Sequence, residues 1–330
     1  MGVDWEPLER IIAENERFVL SCHVRPDADA VGSELALAEL LESRGKSVRI
    51  VNPSALPANL LFLDPDRRIL TVGEGSSVDQ ACDADVHFVL DTSAWAQLGK
   101  IGTVLKRTSA LKVVIDHHVV ADDVGTISFQ DKTAEATGAM IFRAAEHFGW
   151  PITESMANFL FCAIATDTGW FRFPSVSGDT LRICATLIDL GAKPASLYQE
   201  LYEQSSLARL KLAGRVLSRM TVECNGRLAY ICVYQQDFAE TGAVPADTED
   251  LVNECLRVAG TEAAFILVET PNRDVKISLR SRNDLNVAQI AKRFGGGGHK
   301  QAAGAVVSGP LCDVLAKVLT TMKAELKCQS

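Results

Sequence analysis

The chain has 330 residues, 47% of them hydrophobic, and a net charge of −9, proportions expected of a soluble protein with room for two cored domains. That acidic balance argues against a protein that coats long nucleic acid, which needs a basic face to displace counterions, but not against a small anionic substrate held by local cations. No apolar run approaches the roughly 20 residues that cross a bilayer, and the start lacks the basic and apolar regions of a signal peptide, so a cytoplasmic protein without membrane contact is expected.

Taken in order, Trp5 to Asn15 predicts a short amphipathic helix, and Phe18-Val19-Leu20-Ser21-Cys22 a buried strand that runs into His23-Val24-Arg25-Pro26-Asp27-Ala28-Asp29. Pro26 drives Arg25 toward an extended backbone, so Asp27 and Asp29, two apart, can project to one side. Val31, Leu35, Ala38 and Leu41 then recur at helical spacing up to Gly45, with Asp29 or Ser33 near the helix start; a carboxylate there is also a common N-cap. Ser47 to Val51 predicts a second strand, and 52–68, bearing Pro and Asp, a loop with one helical turn. His87-Phe88-Val89-Leu90 predicts a strand ending at Asp91, which taken singly also reads as a turn residue. Val113-Val114-Ile115 predicts a buried parallel strand that ends in Asp116-His117-His118. Thr126 to Phe129 predicts an edge strand. Helices are expected over Thr133 to Phe148 and Thr153 to Ala165, the second delivering Thr166-Asp167-Thr168-Gly169. A carboxylate at a helix C-terminus opposes the helix dipole, so Asp167 calls for a compensating cation.

Strands alternating with helices imply parallel pairing, so 1–190 is predicted to be an α/β domain with a doubly wound, mainly parallel sheet. Helical patterns over Ser177 to Leu190, Pro194 to Gln204 and Ser206 to Met220 suggest a helical linker at 191–215. From 216 to 330 a smaller mixed α/β domain is expected. It would hold a hairpin turning at Asn225-Gly226, a strand pair Ala263 to Glu269 and Asp274 to Ser281, and helices at Thr248 to Ala259, Val287 to Phe294 and Leu311 to Leu326. Nine cysteines without a Cys-x-x-Cys pair read as reduced, small buried hydrophobes and not as metal ligands.

In sheets of this kind ligands bind at the carboxyl ends of the strands, where this chain repeatedly places Asp and His. Together His23, Asp27, Asp29, Asp91, His117 and Asp167 could hold two divalent cations with one carboxylate shared. Two such ions can generate a hydroxide and clamp a phosphoryl group for in-line displacement, and they would relieve the repulsion among clustered carboxylates. A second constellation, Gly295-Gly296-Gly297-Gly298-His299-Lys300, reads either as a flexible linker or as a loop whose bare amides approach an anion; it lacks the Gly-Lys-Ser/Thr ending of a Walker loop. Strand alternation places Arg280 and Arg282 of Ser278-Leu279-Arg280-Ser281-Arg282 on one face, and their pairing with the glycine stretch favours anion binding.

In order and spacing, His23-x-x-x-Asp27-x-Asp29, Asp91, Asp116-His117-His118, Asp167-Thr168-Gly169 and Gly295 to His299 resemble the DHH phosphoesterases that carry a DHH-associated C-terminal domain, over nearly the whole chain. The short two-domain layout is similar to the branch that hydrolyses short oligoribonucleotides and 3′-phosphoadenosine-5′-phosphate (pAp). The resemblance implies two metal ions, Mn²⁺ expected, one on His23, Asp27 and Asp91, the other on Asp29, Asp91, His117 and Asp167. It implies that His118 contacts phosphate or orients the centre and that Asp116 sets the histidine geometry, so the expected catalytic set is His118, Asp116 and Asp91. The expected substrate-binding set is Arg280, Ser281, Gly296, Gly297, Gly298 and His299, in a cleft between domains. Short oligoribonucleotides and pAp are the expected partners, long nucleic acid is not, and a homodimer stays open. A stand-alone cyclic-dinucleotide or dinucleotide phosphodiesterase, and a silent nucleotide-binding sensor, are the competing readings.

Overall fold

In β1 (Arg17–Ser21) the side chains of Phe18 and Leu20 join one apolar cluster while Val19 joins another, and all three are buried. The same split recurs in β4 (Val86–Leu90) and β5 (Leu111–Asp116), where Phe88, Leu90, Val113 and Ile115 oppose Val89 and Val114. Such strands bury both faces, which is why they read as unbroken apolar runs and why they pair in parallel. With β2 (Ser47–Asn52), β3 (Ile69–Thr71) and β6 (Ile127–Gln130) they form a six-stranded sheet, order β3-β2-β1-β4-β5-β6, parallel throughout.

The computed structural model describes residues 3–118, 122–282 and 284–328, and it divides into two units, Met1–Gln204 and Ser205–Ser330. In the first unit α1 (Glu6–Glu14), α2 (Ala28–Ser43), α5 (Thr137–His147), α6 (Glu154–Asp167), α7 (Gly178–Asp189) and α8 (Pro194–Tyr202) contribute to the Phe18 cluster. The short α3 (Val78–Cys82) and α4 (Ile101–Arg107) cover the other face through Ala81, Ile101, Val104 and Leu105. The sheet is doubly wound as expected. Its strand order places the topological switch between β1 and β4, so the crevice beyond their carboxyl ends is where His23 and Asp91 must lie.

The second unit is built on another six-stranded sheet, order β11-β12-β10-β9-β8-β7. Its strands are β7 (Thr221–Glu223), β8 (Leu228–Val233), β9 (Ala263–Glu269), β10 (Asp274–Ser281), β11 (Gly297–His299) and β12 (Ala302–Ser308). Only the β8–β9 pair is parallel, so this sheet is mixed. On one face α12 (Val287–Arg293) and α13 (Leu311–Glu325) pack on Phe265, Leu267, Ile277 and Leu279; on the other α9 (Leu207–Leu217), α10 (Gln235–Thr241) and α11 (Leu251–Cys255) pack on Ile231 and Ile266. Residues 191–215 thus give α8 to the first unit and most of α9 to the second.

Several expectations are corrected. Arg25, expected to be extended ahead of Pro26, stands in the left-handed region at φ 54°, its amide donating to the Ser54 hydroxyl oxygen at 2.7 Å. The helix expected from Thr133 begins only at Thr137, because the Thr137 and Gly138 amides are given to Asp29 and not to the carbonyls of a preceding helical turn. The stretch expected as a glycine loop is in part β11, paired with a β12 that pattern reading missed: Ala302-Ala303-Gly304-Ala305 has no β-branched or aromatic residue to signal a strand. Cys224 and Cys328 form a disulfide, joining the β7–β8 turn to the chain beyond α13, so not every cysteine is a free thiol. No helix among the described residues is long and apolar enough to cross a membrane.

Candidate metal centre

Each member of the candidate set is placed by an element end. His23 follows β1, Asp27 caps α2, Asp29 sits in the first turn of α2, Asp91 follows β4, Asp116 ends β5 and is followed by His117 and His118, and Asp167 ends α6. The structure brings them together in two triads whose ligand atoms lie within 4.8 Å of one another: His23, Asp27 and Asp91, and Asp29, His117 and Asp167. A further group of the same dimensions joins Asp91 to His117 and His118.

Asp91, a member of the first triad, also faces the second. Its Oδ2 faces His23 Nε2 at 3.4 Å while its Oδ1 faces His117 Nε2, also at 3.4 Å. His117 Nε2 additionally lies 3.5 Å from Asp167 Oδ2 and 3.8 Å from Asp29 Oδ2. Asp27 divides its oxygens: Oδ1 accepts the amides of Asp29 and Ala30 at 3.1 and 3.0 Å, and Oδ2 faces His23 Nε2 at 3.8 Å. The cap and the candidate ligand are therefore one residue with two functions.

Whether these residues suit a cation follows from the imidazole tautomers. His23 Nδ1 lies 3.0 Å from the Val24 carbonyl and His117 Nδ1 lies 3.2 Å from the Ala134 carbonyl, contacts that need the proton on Nδ1 and leave each Nε2 with its lone pair toward the carboxylates. Among the described residues, none meets the buried His117 Nε2 in hydrogen-bonding geometry. Lone pairs that converge on one another at 3.4–3.8 Å repel unless a proton or a cation stands between them. Burial acts to lower the His23 pKa, but hydrogen bonds to Asp27 and Asp91 outweigh it and raise it to about 11. His117 is likewise raised against its burial, by the Asp91 carboxylate that faces its Nε2 first and then by the charge of Asp29. Burial, with Asp91 and Asp167 beside it, pushes Asp29 well above the carboxylate range, and burial lifts Asp167 to about 6. Carboxylate and imidazole donors with no thiolate form a set suited to a hard or borderline divalent ion.

Three hydroxyl and amide contacts escaped sequence reading. Thr137 donates its amide to Asp29 Oδ2 at 2.8 Å and its hydroxyl to Asp91 Oδ1 at 2.9 Å, and Gly138 donates its amide to Asp29 Oδ1 at 2.9 Å. The N-terminus of α5 thus holds a carboxylate of each triad, which is why the helix begins late and why the Ala134 carbonyl is free to accept from His117. Ser93 donates to Asp116 Oδ2 at 2.5 Å, while Asp116 Oδ1 takes His118 Nδ1 at 2.8 Å. Asp116 is fully buried and its pKa is lowered, burial notwithstanding, by those two partners; it orients a half-exposed His118. No single-residue signal marked Thr137 or Ser93.

In the second unit the register aligns Arg280 with Ala302 and Ala302 with His299, so the Arg280 and His299 side chains share one sheet face across a small alanine. Arg280 is half-buried, His299 is exposed, and Ser281 is buried with its hydroxyl on the Leu285 carbonyl at 2.7 Å. The adjoining glycines differ. A Cβ at Gly296 would stand 2.0 Å from the Gly304 carbonyl oxygen, whereas at Gly297 it would meet nothing within 4 Å. Gly296→Ala is therefore expected to destabilise this unit by about 2 kcal/mol through overpacking, and Gly297→Ala to leave the melting temperature unchanged. Thermal melts of the two variants check this. A loss of hydrolysis confined to Gly297→Ala would then reflect ligand approach, and equal melts for both would contradict the packing argument.

Residues 17–164 match the DHH family, N-terminal domain, and residues 225–327 match the DHHA1 domain. The chain is 29% identical over 329 residues to the bifunctional oligoribonuclease and PAP phosphatase NrnA of Thermus thermophilus, covering 98% of this chain and 95% of that protein. It is 27% identical to the protein of the same name from Bacillus subtilis, covering 91% and 92%. Among solved structures, an exopolyphosphatase-related protein from Bacteroides fragilis superposes with a TM-score of 0.86 at 26% identity, covering 98% of this chain and 95% of that one. Exonuclease RecJ bound to manganese shares the fold at a TM-score of 0.55 and 13% identity, covering 100% and 96%. With both domain models matched in order and relatives aligned along nearly its full length, the chain carries a DHH family N-terminal domain followed by a C-terminal DHHA1 domain.

Proposed function

We propose that this protein is a hydrolase of phosphoester bonds that cleaves short oligoribonucleotides to mononucleotides and removes phosphate from pAp. The observation that carries the reading is Asp91, whose two oxygens face two separate His/Asp triads at the switch point of the sheet. The names of the Thermus and Bacillus relatives support the substrate class.

In this reading His23, Asp27 and Asp91 hold one divalent ion, and Asp29, Asp91, His117 and Asp167 the other, with Mn²⁺ the preferred metal. Bound ions of this kind supply an activated water and neutralise charge on the phosphoryl group. The chain's own residues do the rest. Thr137 and Gly138 fix the carboxylate angles, and the carbonyls of Val24 and Ala134 hold both imidazoles in the ligating tautomer. His118, held by Asp116, presents its other nitrogen to the scissile phosphate or the leaving group. Arg280, Ser281, Gly296, Gly297, Gly298 and His299 bind the part of the substrate remote from the scissile bond.

A net charge of −9 provides no basic track for a long strand. The expected result with Mn²⁺ present is a kcat/KM that peaks on oligoribonucleotides of about two to five residues, with pAp also cleaved; the length figure comes from the family resemblance, and the acidic balance adds no affinity for a longer strand. Side-by-side kinetics on pAp, di- to pentaribonucleotides, an unstructured RNA of about two dozen residues and a cyclic dinucleotide decide it. More efficient hydrolysis of the long RNA or the cyclic dinucleotide than of a trinucleotide would replace this reading.

A further inference from the structure

Immediately beyond Asp167 the backbone takes a course that L-residues rarely adopt. Gly169, Trp170 and Phe171 stand in succession at φ 58°, 57° and 63°. Two bulky aromatic residues in the left-handed region persist only where the surroundings over-determine them. Here they do. The Trp170 and Phe171 rings meet Phe161 edge-on at 6.3 and 6.0 Å, and Trp170 is also packed by Tyr198 and Tyr202 of α8 at 5.0 and 5.5 Å. Thr168, fully buried, accepts the Arg172 and Phe173 amides at its carbonyl, at 3.0 and 3.1 Å, and the Phe171 amide at its hydroxyl oxygen, at 3.2 Å.

What this rigid turn presents outward is Arg172 and Phe173. Arg172 is exposed and its Nε donates to the Gly169 carbonyl at 2.6 Å. Phe173 is 50% exposed, yet its ring is not loose: it lies directly on Gly169, where a Cβ would come within 2.5 Å of the ring carbons. Gly169 is thus required twice, for its φ and for the ring. A lone exposed phenylalanine needs no explanation. This one is clamped on one side, bare on the other, flanked by a planar cation, and seated on a residue two positions from Asp167, a separation of at most about 7 Å along the chain.

A fixed aromatic face beside a guanidinium is the chemistry that recognises a nucleotide: the ring stacks on any base, and the fork takes a phosphate. We propose that Phe173 stacks on the nucleobase of the nucleotide bound at the metal centre and that Arg172 pairs with that nucleotide's phosphate remote from the metals. The proposal rests on the phosphoesterase reading and adds to it a base subsite within the first unit.

The test uses the full chain with Mn²⁺ and compares binding of adenosine 5′-monophosphate with ribose 5-phosphate by titration calorimetry, so it does not depend on turnover. Wild type is expected to bind the nucleotide about tenfold more tightly than the sugar phosphate, the size of a single base stack. Phe173→Leu should close that gap by weakening the nucleotide alone and Phe173→Trp should keep it; Arg172→Gln, read on pAp by initial rates because that ligand is turned over, should raise the KM for pAp while leaving binding of the monophosphate unchanged. An unchanged ratio in Phe173→Leu, an equal loss on both ligands, or no binding of either by wild type would overturn the subsite. If wild type binds with the expected ratio but hydrolyses none of its proposed substrates, the function reading fails and the subsite stands.

Discussion

Replacing Asp91 with asparagine is expected to lower kcat/KM on a trinucleotide by at least about a thousandfold, roughly 4 kcal/mol in the barrier, without unfolding the protein. The size follows from position. Asp91 is the residue whose separate oxygens face His23 and His117, so removing its charge weakens both halves of the centre at once. The substitution follows from the backbone. Asp91 has φ 59°, a conformation that asparagine adopts readily and alanine does not, so the alanine variant would add strain to the loss of charge. Asparagine also keeps an oxygen for the Thr137 hydroxyl. Kinetics in Mn²⁺ with a thermal melt of the same sample measure both parts, and an activity within tenfold of wild type would end the shared-carboxylate assignment.

Removing divalent cations is expected to have the second large effect: complete loss of hydrolysis, with Mn²⁺ restoring it better than Mg²⁺ because imidazole nitrogens suit the softer ion. Stability should move with it. A cation at a hundred times its dissociation constant adds about 2.7 kcal/mol to the state that binds it, which for a domain the size of the first unit is about 5–10 °C in melting temperature. The pH dependence has a definite sign. His23, raised to about 11 in the metal-free protein, holds a proton that the cation must displace, so affinity and the gain in melting temperature should both fall as pH falls. Full activity after exhaustive chelation would contradict the metal assignment.

The candidate ligands were legible because each lies where an apolar run stops abruptly at a charged residue, and the switch-point rule turns such stops into one locus. His23, Asp91 and His117 needed only the strand pattern and the parallel pairing it implies. Asp167 needed the helix dipole, since a carboxylate at the end of α6 is otherwise misplaced. Thr137 and Ser93 were not legible. Threonine and serine are common at helix starts and turns, and their pairing with Asp91, 46 residues away, or Asp116 depends on how the loops fold. β12 was hidden for a different reason: its small residues are dictated by close approach, as at Gly304, where a Cβ would stand 2.9 Å from the Ile277 carbonyl oxygen. The bond between Cys224 and Cys328 lay beyond reach because spacing along a chain does not encode pairing.

That bond changes what unfolding means for half of the molecule. Cys224 and Cys328 are 104 residues apart, so the cross-link turns most of the second unit into a closed ring whose denatured state cannot expand. In the chain-entropy account a ring of that length is worth about 4.7 kcal/mol at 25 °C, all of it taken from the disordered state. The first unit contains no such closure among its described residues; its long-range tie is the cluster of carboxylates and imidazoles. The two halves of one polypeptide therefore answer to different reagents, the first to a chelator and the second to a thiol, and a melt run with each in turn would separate their transitions.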